Sequence, residues 1–256
     1  MRRRRQHGIR EDLVNLVRRG WWWFLDYRYA GWQQLLALFK RDCPPEYAVG
    51  DPGLPAIVLL PGVYETWLFL EPPATRLNAA GHRVFSVPGL GINKKSVPDS
   101  ARIVATRLAA LHADHGVQEC IILAHSKGGL IGKHLMLDAL AAAETGTPDD
   151  SPVQTLGLVA IGTPFSGSVY ARYTLSRTIR DFSPTDAVLL ALAAQEKLND
   201  KVVSIYPVFD PHIPGGSALP GAQNIELPLA GHFRTLREES VLGAVGDAVQ
   251  KLAARN

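Results

Sequence analysis

The chain has 256 residues, 46% hydrophobic and 20% charged, with 23 glycines and 18 prolines, which excludes long low-complexity disorder and suits one full-sized soluble domain. Two cysteines, Cys43 and Cys120, make neither a disulfide framework nor a C-x2-C zinc spacing, so apolar burial must hold the fold, in a compartment expected to be reducing. The net charge of +3 conceals an asymmetry: residues 1–42 carry ten Lys/Arg against four Asp/Glu, a balance of +6, leaving −3 for the remainder.

Residues 1–50 read as a basic, aromatic, helical extension, and residues 51–256 as the main domain. Met1-Arg2-Arg3-Arg4-Arg5 precedes the apolar run Trp21-Trp22-Trp23-Phe24-Leu25, which Asp26 and Arg28 cut after five residues, far short of the ~18 needed to span a bilayer. No Ala-x-Ala cleavage site follows, so neither an export signal nor a spanning helix is expected. The location this implies is cytoplasmic, with peripheral attachment to the inner face of the membrane as an option. Four of the five tryptophans (Trp21, Trp22, Trp23 and Trp32) fall within twelve positions, among Tyr27, Tyr29 and arginines. Such a mixture suits an anionic membrane surface, where aromatic rings settle at headgroup depth and each basic residue adds roughly 1 kcal/mol. It equally suits a helix whose stripe Leu13, Val17, Trp21 and Leu25 packs on the main domain. No recognised binding motif accompanies the arginines, so nucleic acid is not an expected partner.

From Asp51 onward short apolar runs alternate with longer amphipathic ones, predicting an α/β fold: a mostly parallel sheet of about six strands flanked by helices. Strands are expected at Ala56 to Leu60, Arg83 to Val87, Cys120 to Ala124, Leu156 to Ile161, Val202 to Val208 and Asn224 to Leu227. Helices are expected at Pro73 to Ala80, Ser100 to His112, Ser126 to Ala143, Asp186 to Lys197 and Leu236 to Ala254. Most of the strand runs are too uniformly apolar for one face to meet water.

The run Leu123-Ala124-His125-Ser126-Lys127-Gly128-Gly129 follows an expected strand and opens an expected helix. It has the form of a nucleophile elbow. The strand-to-helix turn lifts a serine hydroxyl clear of the backbone at a helix N-terminus, and small residues two positions away, here Ala124 and Gly128, let the turn close. With Ser126 as nucleophile, the chain order Ser, Asp/Glu, His is completed by Asp210, just past the run Val202 to Phe209, and by His232, just past the next strand. Gly231 would let the backbone turn sharply before His232. His212 is only two residues from Asp210 and reads as a loop residue, and His125 reads as packing beneath the turn. An oxyanion hole needs two backbone donors; Lys127 N–H is one, and Val63 N–H, following Gly62, is the other.

These residues together resemble the α/β-hydrolase superfamily, and within it the small bacterial lipases and carboxylesterases with an Ala-His-Ser-x-Gly-Gly elbow. The resemblance spans about residues 54–254. It includes Pro88-Gly89-Leu90-Gly91 and Gly162-Thr163-Pro164-Phe165-Ser166-Gly167-Ser168, the latter similar to the Gly-Thr-Pro-His-x-Gly-Ser of many lipases. Phe165 stands where those lipases have histidine, and Pro61-Gly62 where His-Gly is usual. The resemblance implies hydrolysis of carboxylic esters, of lipid or other acyl type, with no cofactor and no metal. Ser126 attacks, His232 takes its proton, Asp210 holds the imidazole, and water releases the acyl group. An acyltransferase using the same triad is an alternative, as is a catalytically idle, membrane-attached interaction module, against which the intact triad argues. The stretch from Gly167 to Asp210 leaves room for a short cap, with Tyr170, Tyr173, Leu175, Phe182 and Leu189 as expected pocket lining.

Overall fold

A computed structural model describes residues 20–40, 42–146, 152–173 and 182–255. Six strands form one sheet: β1 (Ala56–Leu60), β2 (Val84–Ser86), β3 (Glu119–His125), β4 (Gln154–Ile161), β5 (Val202–Phe209) and β6 (Gln223–Ala230). Their order is β2-β1-β3-β4-β5-β6, and every neighbouring pair is parallel. The strand β6 runs past its expected end at Leu227 through Pro228, which an edge strand tolerates because one row of its amides has no ladder partner to lose.

The described helices are α1 (residues 20–36), α2 (Glu71–Ala79), α3 (Val97–His115), α4 (Lys127–Thr145), α5 (Ala187–Ala194) and α6 (Glu239–Ala253). Local chemistry sets their ends. Ser96 accepts the Asp99 amide at the start of α3, and Gly116 closes that helix in the left-handed region. Asp186 accepts the Val188 and Leu189 amides to open α5. The helix expected to run to Lys197 stops at Ala194, because Gln195 leaves helical angles and a 3-10 turn, Glu196–Lys201, then buries Leu198 and Asn199. The last helix likewise begins at Glu239, later than expected, after a separate 3-10 turn at Arg234–Arg237.

Strand side chains alternate between two cores, one on each face of the sheet. Val58, Leu60, Ile122, Ala124 and Leu158 pack with Val104 and Leu108 of α3 and with Leu130 and Ile131 of α4. Ile57, Leu59, Ile121, Leu123 and Val159 pack with Leu77 of α2 and with Val245 and Val249 of α6. From β1 the chain passes to β2 on one side and returns to β3 on the other. The carboxyl ends of β1 and β3 therefore diverge at a switch point, where open parallel sheets form their crevices.

The helix α1 turns a different face to the domain than its apolar spacing predicts. Trp21 is 58% exposed, and Leu13 and Val17 lie outside the described residues. The face turned inward carries Trp22, Asp26, Ala30 and Gln33. Two polar side chains find their partners in this rotation. Gln33 Nε2 donates to the Leu68 carbonyl (3.3 Å) and to the Tyr29 hydroxyl (2.9 Å), and Asp26 is completely buried in hydrogen bonds to the chain after β6.

Candidate active site

Ser126 lies between the end of β3 and the start of α4 with φ +51° and ψ −120°, a strained conformation for a residue with a Cβ. Its neighbours hold it there. Its amide donates to the Ile161 carbonyl at the end of β4 (2.9 Å), and its carbonyl accepts from Thr163 Oγ1 (2.9 Å). Any Cβ at Gly128 would stand 1.9 Å from the Leu60 carbonyl oxygen, so only glycine lets α4 start this close to β1.

Asp210 follows β5 and His232 follows β6, and the two meet with Asp210 Oδ2 2.6 Å from His232 Nδ1. The other carboxylate oxygen accepts the amides of His212 (2.8 Å) and Ile213 (3.2 Å), so the loop itself holds the acid in place. With Nδ1 donating to the carboxylate, Nε2 is left as the basic nitrogen of a neutral His232. The pair lies against Gly162, next to the Ile161 that binds the Ser126 amide, and the His232 ring is 4.6 Å from the ring of His125, the residue before Ser126. Burial alone would raise Asp210, but the charge and hydrogen bond of His232, with the His212 amide, hold it below the ordinary carboxylate value. Burial alone would lower His232, but the charge and hydrogen bond of Asp210, with Glu65 and Asp26 behind it, hold it above the ordinary imidazole value.

His212 packs beside this pair, 4.9 Å from the His232 ring, enclosed by Trp23, Tyr27 and Phe233. Burial, reinforced by the charge on His232, pushes it down to about 4, so it is uncharged at neutral pH. His125 is more than packing. Its Nδ1 lies 2.8 Å from Glu65 Oε2, and its Nε2 lies 3.2 Å from the carbonyl oxygen of His232. Sequence reasoning passed over Glu65; its only signal is an acid set between Pro61-Gly62-Val63 and the apolar run Trp67 to Leu70.

Glu65 also accepts the Gly62 amide (2.8 Å), and the Tyr64 amide donates to the Ile92 carbonyl (2.9 Å). Between them, the Val63 amide donates to no acceptor among the described residues. Lys127 supplies the first amide of α4, where a helix leaves its amides without intrahelical partners. Its side chain is buried and donates from Nζ to the carbonyls of Asn93 (2.9 Å) and Lys95, and Asn93 in turn donates to the Pro61 carbonyl (2.7 Å). The segment 92–95 thus clips the loop after β1 to the turn at Ser126.

A cavity of about 600 Å³ adjoins this loop, lined by Pro61, Tyr64, Trp67, Phe69 and Ile92, with Leu38 from the chain after α1. Trp67 Nε1 is buried there without a hydrogen-bond partner among the described residues. The expected pocket lining fares differently. Phe182 and Leu189 belong to the core, where α5 packs against α4. Tyr170 lines a separate cavity of about 850 Å³ beside Asp210, with Trp23. The Tyr173 side chain and Leu175 fall outside what is described. Among the described residues, Glu65, His125 and His232 form a metal-ligand-like cluster, with donor atoms within 4.8 Å of one another. Glu65 and both ring nitrogens of His125 are engaged there in hydrogen bonds, to each other and to the His232 carbonyl, and His232 Nδ1 is engaged with Asp210.

No protein-family model and no curated protein matches the sequence. Solved structures do match the fold. A lipase of Bacillus licheniformis in its mature form is 15% identical with a TM-score of 0.54, covering 78% of this chain and 94% of its own. The 2-hydroxy-6-oxo-6-phenylhexa-2,4-dienoate hydrolase of Rhodococcus sp. strain RHA1 is 16% identical with a TM-score of 0.54, covering 79% of this chain and 92% of its own. A putative hydrolase of Agrobacterium vitis is 14% identical with a TM-score of 0.53, covering 80% and 90%. These likenesses identify the architecture as the α/β-hydrolase fold.

Proposed function

We propose that this chain, built on the α/β-hydrolase fold, is a serine hydrolase that cleaves carboxylic esters of lipid or other acyl type. The observation that carries this reading is the buried Asp210–His232 hydrogen bond of 2.6 Å at the carboxyl edge of the sheet, with the His232 ring 4.6 Å from that of His125, the residue before a serine held at positive φ. In the proposed reaction Ser126 Oγ attacks the ester carbonyl while His232 Nε2 takes its proton. Asp210 stabilises the imidazolium, and the amides of Val63 and Lys127 receive the developing oxyanion. His232 returns the proton to the leaving alcohol. Water, deprotonated by His232, then attacks the acyl-enzyme and frees the acid and Ser126. The mechanism calls for no cofactor and no metal. The apolar cavity beside the Val63 loop supports an acyl or alkyl substituent on the ester.

The outward face of α1 favours a lipid surface as partner. Trp21, Phe24, Tyr27 and Trp32 are all about half exposed or more, and among the described residues no helix is long and apolar enough to cross a membrane. Aromatic side chains in this number fit the headgroup layer of a bilayer approached from one side, the cytoplasmic face in this reading.

A p-nitrophenyl ester series, assayed with and without an alcohol acceptor and alongside fluorophosphonate labelling, tests the proposal. Turnover and labelling that both vanish in a folded Ser126→Ala variant are expected. Labelling that persists would sink the assignment, and product that partitions to the acceptor alcohol in preference to water would move the reading to an acyltransferase.

A further inference from the structure

The backbone of His232 is held from outside the sheet. At the turn after β6, three consecutive amides, those of His232, Phe233 and Arg234, point away from the strand ladder. All three donate to one carboxylate. Asp26 Oδ2 accepts the His232 amide at 2.9 Å, and Oδ1 accepts the Phe233 and Arg234 amides at 2.9 Å each. Asp26 is fully buried and lies on α1, 206 residues away in the chain. Gly231 makes the approach feasible. It sits at φ +124°, and a Cβ there would stand 3.0 Å from Asp26 Oδ1. On the opposite side the His232 carbonyl accepts from His125 Nε2 and from Thr235 Oγ1 (3.1 Å). With both its amide and its carbonyl fixed, His232 can only swing its ring, and Asp210 fixes that.

We propose that Asp26 is a positioning residue for His232: the carboxylate of the N-terminal helix caps the turn that presents the base, so that α1 is part of the active-site architecture. The proposal rests on His232 acting as the base. A charged cap of this kind acts in two ways. It fixes the peptide units that aim the ring, which matters because an error of about 1 Å at a reacting group can cost on the order of 100-fold in rate. It also sets an anion near the ring, and an anion favours the imidazolium. The other groups facing His232 are Asp210 after β5, His212 on the same loop, Glu65 after β1 and His125 at the end of β3, with Arg234 on the turn itself.

The test uses the full chain with Asp26→Asn, Asp26→Glu and, as a control, Gln33→Ala, which removes an anchor of α1 without touching the turn. Asp26→Asn is expected to fold, to lower kcat about 10- to 100-fold on a short soluble ester, and to leave KM within about twofold. The midpoint of His232 ring titration, read by nitrogen-15 NMR, moves to lower pH, and the acidic limb of kcat/KM moves with it. Asp26→Glu, which keeps the charge one methylene further out, is expected to retain the midpoint and lose part of kcat. Gln33→Ala changes neither. A folded Asp26→Asn variant with unchanged midpoint and kcat overturns the proposal, as does a Gln33→Ala variant that reproduces both changes. Should Asp26→Asn fail to fold, Asp26→Glu with wild-type kcat overturns it instead. The titration needs no substrate, so a protein that cleaves no ester still decides whether Asp26 governs His232.

Discussion

Removing Glu65 tests how the loop after β1 and the turn at Ser126 are joined. Its side chain is 2% exposed, that of His125 not at all, and the carboxylate carries hydrogen bonds from the Gly62 amide and from His125. Truncating a buried side chain that two donors share costs about 3–5 kcal/mol, because both donors are left desolvated and unpaired. In a domain of this size that amounts to a fall in Tm of roughly 6 to 20 °C for Glu65→Ala. Glu65→Gln keeps the volume but offers one acceptor where two donors point, so the cost falls to on the order of 1–3 kcal/mol. The cleanest assay is a double-mutant cycle of Glu65→Gln and His125→Asn by urea denaturation, with kcat measured on each folded variant. A coupling of about 1 kcal/mol or more is expected, together with a loss in kcat that exceeds any rise in KM, since Gly62 leads into the Val63 amide. Additivity within about 0.5 kcal/mol, or a Gln variant as stable and active as the parent, would refute the argument.

Three further outcomes follow from the same geometry. As the proposed base, His232 is held above the ordinary 6.5 and must be neutral to accept a proton, so kcat/KM should fall on the acid side with a midpoint above pH 6.5; Asp210→Asn should bring the midpoint down and cut kcat by up to about 10⁴-fold, as read from pH–rate profiles. Lys133 is buried in α4 without a hydrogen-bond partner among the described residues, and burial, only partly offset by Glu196, lowers it to about 8. Lys133→Met should therefore stabilise the fold by about 1–3 kcal/mol at pH 7. Above pH 8 the folded lysine is neutral while the unfolded one still binds a proton, so the parent recovers stability and the advantage shrinks in denaturation series toward pH 10. Sedimentation with anionic vesicles should retain the chain, and Trp21→Ala with Trp32→Ala should weaken that binding without changing turnover of a short soluble ester; equal binding by the double variant would remove α1 from the lipid contact.

Local pattern was enough for the scaffold. Apolar runs between turn signals marked β1 to β5, because a strand with little exposed face leaves no room for a polar alternation, whereas the edge strand β6 does alternate, with Asn224 and Glu226 exposed. The strand-to-helix turn at Ser126 was legible for a similar reason. A serine flanked by small residues at a strand-to-helix junction is a local steric requirement, written within seven consecutive residues. Asp210 and His232 stand at the ends of β5 and β6, where the order of elements put them.

The residues that organise the site were written in the sequence as exceptions. Asp26 interrupts an aromatic run, and periodicity therefore set Trp21 and Leu25 on the inner face of α1; the structure rotates the helix so that Asp26 reaches three amides of a turn 206 residues later. Glu65 is another such case, with its partner His125 60 residues on. Hydrophobic spacing records which face of an element avoids water, a property of neighbouring residues. Which buried acid meets which amide or imidazole depends on where distant elements end, and a chain specifies that only by folding: the desolvation of each polar group is tolerable in the one arrangement that supplies its partners.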